Sequence, residues 1–196
     1  MFINTTVAKK LFKKAYSKAR LQVARYEDQL YISGGTWEME MKYSEAPYKI
    51  KAAIVELCGR LPDMEEKFTA SKEGLQIELP DVETVRDRYM KATTLLDMTP
   101  VVLDYVYTNY KLLQYRETKE FTMINKDLLD LIDIREIDTS REGMPSGPCS
   151  TSILWKTPVY WHSELGTLCL YPMYSDKEIN QKITEALQTV NFEEGQ

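Results

Sequence analysis

Six basic residues crowd one short stretch of this chain without an acidic neighbour: Lys9, Lys10, Lys13, Lys14, Lys18 and Arg20 all fall within Thr5–Arg20. The chemistry open to them is electrostatic. Ammonium and guanidinium groups arrayed on one surface bind phosphates and displace condensed counterions, so attachment is indifferent to base sequence and sensitive to salt. The 196-residue chain has a formal net charge of −5, and setting aside these six positive charges leaves −11 for the remainder. The contrast suits a polyanion held on one face of an acidic body. A solvated helix face carries the same pattern, because repulsion between lysines one turn apart costs only about 0.2–0.5 kcal/mol per pair.

Covalent and metal chemistry find little support. His162, the only histidine, sits in the strand-like run Pro158–Ser163 with no metal-ligand spacing or nucleophile motif around it. Cys58, Cys149 and Cys169 are widely separated in unrelated contexts, which predicts buried thiols rather than a disulfide framework or a zinc site. No Gly-rich phosphate loop occurs, and Gly34-Gly35 between two strand-like runs reads as a turn. The expectation is therefore a protein without catalytic residue, metal or cofactor. A small enzyme built on His162 remains the weakest rival.

The lysines need a helix to display them. On a 3.6-residue period Ala8, Leu11, Phe12, Ala15 and Ala19 share one side and the basic residues occupy much of the rest, with Thr5 or Thr6 as N-cap and a short strand at Met1–Ile3 before it. Strands are expected at Leu21–Ala24, Gln29–Ser33 and Thr36–Tyr43. A helix follows over Tyr48–Leu61, ended by Gly59 and Pro62, and then a hairpin of Glu66–Ala70 and Leu75–Leu79 around Glu73-Gly74.

Past Pro80 the order starts again. Asp81 caps a predicted helix to Leu96, with Val82, Val85, Tyr89, Ala92 and Leu96 on one face and Arg86, Arg88 and Lys91 adding positive charge. Strands are expected at Val101–Tyr107, Lys111–Arg116 and Glu120–Met123, then a helix Lys126–Ile134 capped by Asn125. A turn-rich loop, Thr139–Ser150, leads to closing strands Thr151–Lys156, Val159–Ser163 and Thr167–Tyr171. Alternation makes Trp155, Tyr160, Trp161 and Tyr171 sheet-packing aromatics rather than a base-stacking platform. An amphipathic helix from Ser175, with Ile179, Ile183, Leu187 and Val190, forms the tail. The units are thus residues 1–79, 80–174 and the tail 175–196, the first two a duplicated α+β unit.

Local strings add a resemblance. LYISGGTWEMEM (Leu30–Met41), ELCGRLPD (Glu56–Asp63) and GLQIEL (Gly74–Leu79) resemble, in order and spacing, the first domain of the bacterial DNA polymerase III beta sliding clamp family. YTNYKLL (Tyr107–Leu113), EFTMINKDLLDLIDI (Glu120–Ile134) and LYPM (Leu170–Met173) resemble later clamp segments, although Asn109 stands where the family has Asp and a Gly position is missing. The resemblance implies duplicated sliding-clamp-like domains, α+β, with helices on one face of antiparallel sheets.

Its functional implication is a processivity factor that encircles or cradles duplex DNA and recruits a polymerase or other partners. The DNA-facing set would be Lys9, Lys10, Lys13, Lys14, Lys18, Arg20, Lys49, Lys51, Arg86, Arg88 and Lys91. The partner-peptide pocket would be Thr108, Tyr110, Lys111, Leu112, Cys169, Tyr171, Pro172 and Met173. Two small units per chain imply a homo-oligomer, a trimer if six units close a ring. The alternative is a clamp-fold interaction module that binds protein and no DNA. With no run of about 18 apolar residues and no apolar leader, a cytoplasmic protein without a membrane span is expected.

Overall fold

The computed structural model describes residues 2–79, 83–105, 108–133, 146–154, 156–173, 177–187, 189–190 and 192. In chain order these form α1 (Thr5–Ser17), β1 (Leu21–Tyr26), β2 (Gln29–Ser33), β3 (Trp37–Lys42), α2 (Tyr48–Cys58), β4 (Glu66–Ser71), β5 (Gly74–Glu78), α3 (Val85–Tyr89), β6 (Thr94–Tyr105), β7 (Thr108–Tyr115), β8 (Phe121–Asn125), α4 (Lys126–Leu129), β9 (Cys149–Ser150), β10 (Val159–Ser163), β11 (Gly166–Leu170) and α5 (Lys177–Leu187). The chain is α+β. Its 11 strands make one antiparallel sheet in the order β5-β4-β1-β2-β3-β11-β10-β9-β6-β7-β8.

Helix α1 begins where a side chain can take its first free amides: the Asn4 side-chain oxygen accepts from Thr6 N at 3.1 Å and Val7 N at 3.3 Å. Asn4, rather than Thr5 or Thr6, is the N-cap, and Thr5 is buried inside the helix. Ala8, Leu11, Phe12 and Ala15 are buried as the period requires. Ala19 is exposed in the left-handed region, φ 53°, so the helix has ended before it. Helix α2 stops at Cys58 rather than Leu61 because Gly59 takes φ 80° and turns its N–H to Val55 O.

Alternation along the central strands sends side chains to two cores. Val23, Leu30, Ile32, Trp37, Met39, Val159, Trp161, Leu168 and Leu170 join α1 and α2 in the larger core, which continues to Leu113, Ile124 and Leu128 of the second half. Ala24, Tyr31, Tyr160 and Cys169 face the other way and meet Val85, Tyr89 and Ala92 in a second core. Helices therefore lie on both faces, not one. The second face presents large side chains at the middle of the sheet, and α3 covers them.

Helix α3 is a single short element where a helix to Leu96 was expected. Asp81 and Val82 lie outside the described residues, and Thr84 caps the helix in a reciprocal pair with Asp87. The β-branched pair Thr93-Thr94 favours strand over helix, so Leu96 enters the larger core from β6. Within that strand Pro100 falls at the register shift between Met98 and Val102, where no ladder N–H is needed. Helix α4 is four residues where Lys126–Ile134 was expected, and residue 134 lies outside the described residues.

The expected strand Thr151–Lys156 does not form among its described residues, where Ser152 instead bonds Thr157 and the amide of Leu154, and the strand lies earlier, at Cys149–Ser150 within the expected loop. Trp155 and most of the Thr139–Ser150 loop lie outside the described residues. Gly147 is required where it stands: φ is 102° and a Cβ would lie 2.4 Å from Tyr160 O.

The two halves share a strand order. The run β5-β4-β1-β2-β3 recurs as β10-β9-β6-β7-β8, with β11 joining the halves through β3. The helices do not repeat: α1 and α2 have 13 and 11 residues, whereas α3 has 5, on the other face, and α4 has 4. The sheet also curls. Met173 N donates to Met123 O on β8 at 2.8 Å, only three residues after β11, a reach of about 10 Å. Five strand spacings laid flat would separate β11 from β8 by about 24 Å.

No helix among the described residues is long and apolar enough to cross a membrane.

Candidate nucleic-acid interface

The apolar side of α1 is spent on the core, so its lysines have one place to go. Lys10, Lys14 and Lys18, four residues apart, form one exposed ridge. Lys9 and Lys13 form a second ridge beside it, turned toward α2, where Lys13 Nζ lies 3.2 Å from Glu56 Oε1. Among the described residues that is the one ion pair of the six. Lys9, Lys10, Lys14, Lys18 and Arg20 meet no carboxylate there. The helix is about 20 Å long at about 1.5 Å per residue, comparable with the width of a duplex.

Helix α2 lies against α1 on the same face of the sheet. It brings Lys49, exposed, and Lys51, whose Nζ sits 4.5 Å from the centre of the Tyr43 ring that Arg25 also covers at 3.9 Å. Beyond the N-terminus of α1 a groove of about 520 Å³ is lined by Asn4, Val7, Lys111 and Lys126 together with the carboxylates Asp130 and Asp133, among others. Neither lysine has an ion pair among the described residues. Lys126 escaped sequence reasoning: it is brought beside Val7 by the Ile3 to Ile132 bridge and by Asn4 N donating to Leu131 O at 2.8 Å, long-range contacts with no local signal.

Arg86, Arg88 and Lys91 are not brought to this face. Arg86 and Arg88 ride on α3, across the sheet, and Lys91 follows its C-cap. Arg88 is committed to Glu38 in an ion pair and donates to Tyr171 OH at 3.0 Å, while Tyr171 OH donates to Glu38 Oε1 at 2.8 Å. Burial works against the Arg88 charge, yet Glu38 and Tyr171 hold its pKa above the ordinary guanidinium value. Burial pushes the Tyr171 phenol up. Lys91 pairs with Glu83 at 2.5 Å and Arg86 is exposed. The role of Arg88 here is to hold α3 to the sheet.

Across β3, β11 and β10 the residues Glu40, Thr167 and His162 stand in one cross-strand row. Glu40, 4% exposed, accepts from Val85 N at 2.8 Å and Arg86 N at 3.3 Å, and burial raises its pKa. His162 Nδ1 is 2.9 Å from Thr167 Oγ1, and the ring stacks on Tyr89 with centres 4.5 Å apart. Every one of these contacts ties α3 or a neighbouring strand in place. Burial pushes the thiols up, Cys58 to about 11 and Cys149 to about 12, with Cys169 higher still.

The expected peptide pocket divides into three. Tyr110, Leu112 and Met173 meet in an apolar cluster on β7 and β8. Cys169 and Tyr171 belong to the core under α3, and Lys111 faces the groove by α1. Thr108 opens β7 and Pro172 lies in the segment leaving β11, both half-buried.

No protein-family model, curated protein or solved structure matches this chain. Among the described residues no group of three or more His, Cys, Asp or Glu side chains is placed to hold a metal ion. What the geometry offers is a field of cations on two packed helices, flanked by a groove where Lys111 and Lys126 stand beside Asp130 and Asp133. Such a field holds phosphate groups and reads no base edges.

Proposed function

We propose that the protein is a clamp-like binder of duplex DNA that grips the phosphate backbone through α1 and α2 and recruits a polymerase or other partners. The observation that carries this reading is the double ridge of five lysines on α1, of which only Lys13 has a carboxylate partner among the described residues, with Arg20 just beyond the helix also without one. The strand order common to both halves supports a repeated, clamp-like architecture. The DNA-facing set is Lys9, Lys10, Lys13, Lys14, Lys18, Arg20, Lys49 and Lys51, extended by Lys111 and Lys126 in place of Arg86, Arg88 and Lys91. One chain presents this helical face once, so surrounding a duplex takes several copies, three in the arrangement we favour.

The test is binding of two unrelated duplexes of equal length, followed by fluorescence anisotropy across a salt series. Equal affinities that fall together with salt support the reading, and about four phosphate contacts give a slope of about −3.6 in log K against log salt. No binding at low salt removes it.

A second reading is favoured by one contact: Lys13 already pairs with a carboxylate of this chain, that of Glu56. In that case the face meets an acidic protein surface, and replacing Lys9, Lys13 and Lys14 by Glu abolishes capture of the protein partner while DNA binding is absent from the start.

A further inference from the structure

Beside α3, on the face of the sheet that α3 covers, lies a cavity of about 400 Å³. Glu40 and Lys42 of β3, Glu45 after it, Arg86 of α3, and His162 and Thr167 of the β10–β11 hairpin stand in its walls. Among its described lining residues Leu165 is the only large apolar one, so the space suits a polar occupant. Glu40 and Thr167 are its buried members, 4% and 2% exposed. The Glu40 carboxylate is only half used: Oε2 takes both amides that open α3, while Oε1 has no hydrogen-bond partner among the described residues.

Capping α3 does not require a charge there. A side-chain amide oxygen accepts from two backbone N–H groups as a carboxylate does, without the cost of taking an anion out of water. Glu40 forms no ion pair among the described residues, and burial raises its pKa. A buried, unpaired carboxylate with an oxygen left over at a cavity is a cost to the fold that a bound cation removes. The remaining charges are arranged around it. Lys42 and Glu45 satisfy each other at 2.8 Å. Arg86 is exposed and also forms no ion pair among the described residues. One anion within and one cation at the rim match a ligand that carries both an ammonium and a carboxylate.

We propose that this cavity binds a small zwitterion of the α-amino-acid type, with its ammonium on Glu40 and its carboxylate on Arg86. Thr167 Oγ1 and His162 Nδ1, 2.9 Å apart in the same cross-strand row as Glu40, add hydrogen-bonding atoms beside the ammonium. Three carboxylates, Glu40, Glu45 and Glu164, line the space with two cations, Lys42 and Arg86. A ligand bearing one further positive charge balances them, which favours a basic amino acid over a neutral or acidic one. The inference stands on the cavity beside α3 and does not depend on DNA binding by α1, on the other face of the sheet.

The test is isothermal titration of the full-length chain with L-lysine, and with cadaverine and hexanoate, which carry its two amines or its carboxylate alone. Lysine binds, and each of the other two binds at least about tenfold more weakly, the loss of one charge-assisted contact. Glu40→Gln keeps an oxygen for the α3 amides, so the variant stays folded in a thermal melt, and its lysine affinity falls at least about tenfold. Arg86→Gln brings lysine down to the level of cadaverine and does not weaken cadaverine itself. Amide NMR signals of His162 and Thr167 shift as lysine is added, which locates the ligand without a variant. The proposal is overturned by the absence of lysine binding at millimolar concentration, by cadaverine binding as tightly as lysine, or by an unchanged lysine affinity in folded Glu40→Gln.

Discussion

Replacing Lys10 and Lys14 by Gln should make the fold slightly more stable and the complex with DNA weaker. The two lysines take part in three like-charge contacts at helical spacing: Lys10 with Lys13, Lys10 with Lys14, and Lys14 with Lys18. At about 0.2–0.5 kcal/mol each, their removal returns about 0.6–1.5 kcal/mol. Against this, Lys14 lies in the last turn of α1, where the helix dipole favours a cation by about 0.3–1 kcal/mol. The net gain is about 0.5 kcal/mol, which for a chain of this size raises Tm by about 1–2 °C. Loss of two phosphate contacts at about 0.9 each lowers the salt slope by about 1.8. Thermal melts followed by circular dichroism, and anisotropy titrations with a short duplex at several salt concentrations, read the two effects separately. A variant that melts lower while keeping the parental salt slope refutes the reasoning, because the lysines would then be serving the fold rather than a polyanion.

Further outcomes follow from other contacts. Arg88→Ala leaves Glu38 without its cation and should cost about 2–3 kcal/mol, less than a fully buried pair because Arg88 keeps 24% exposure; DNA affinity of the folded variant stays unchanged, as α3 lies across the sheet. Glu56→Gln frees Lys13 from an exposed pair, so stability moves by less than about 0.5 kcal/mol while DNA affinity rises. Glu40 has a folded pKa raised by burial above its ordinary value of 4.5, so the protein binds the more protons when folded and loses stability as pH rises from 4.5 through that raised value. Glu40→Gln should therefore melt higher than the parent at neutral pH and converge with it below pH 4.5 in a pH series of melts.

Local patterns made much of the first half legible. The apolar spacing of α1 and α2, the turn at Gly34-Gly35 and the hairpin around Glu73-Gly74 each follow from residues close in sequence, and the structure has them within a few positions. What local pattern missed depends on distant partners. The end of α3 is decided by Thr93-Thr94 and by the place β6 takes beside β9, and the helical spacing of Val85, Tyr89 and Ala92 ran on to Leu96 without revealing it.

Which face a helix covers is not written in its own sequence. Arg88 on α3 has the same basic character as Lys14 on α1, and only the fold shows one locked to Glu38 and the other in solvent. The pocket residues show the same limit: neighbours in sequence, Lys111 and Leu112, point to opposite faces of one strand. Lys126 joined the basic face through the bridge between Ile3 and Ile132, a contact between residues 129 positions apart.

The clamp reading meets its most direct test in light scattering of the protein with a short duplex at low salt, resolved by gel filtration. The account predicts a complex containing more than one 22.8 kDa chain on each duplex, with three as the arrangement that surrounds it. A peak of single chains well separated from free duplex would contradict it.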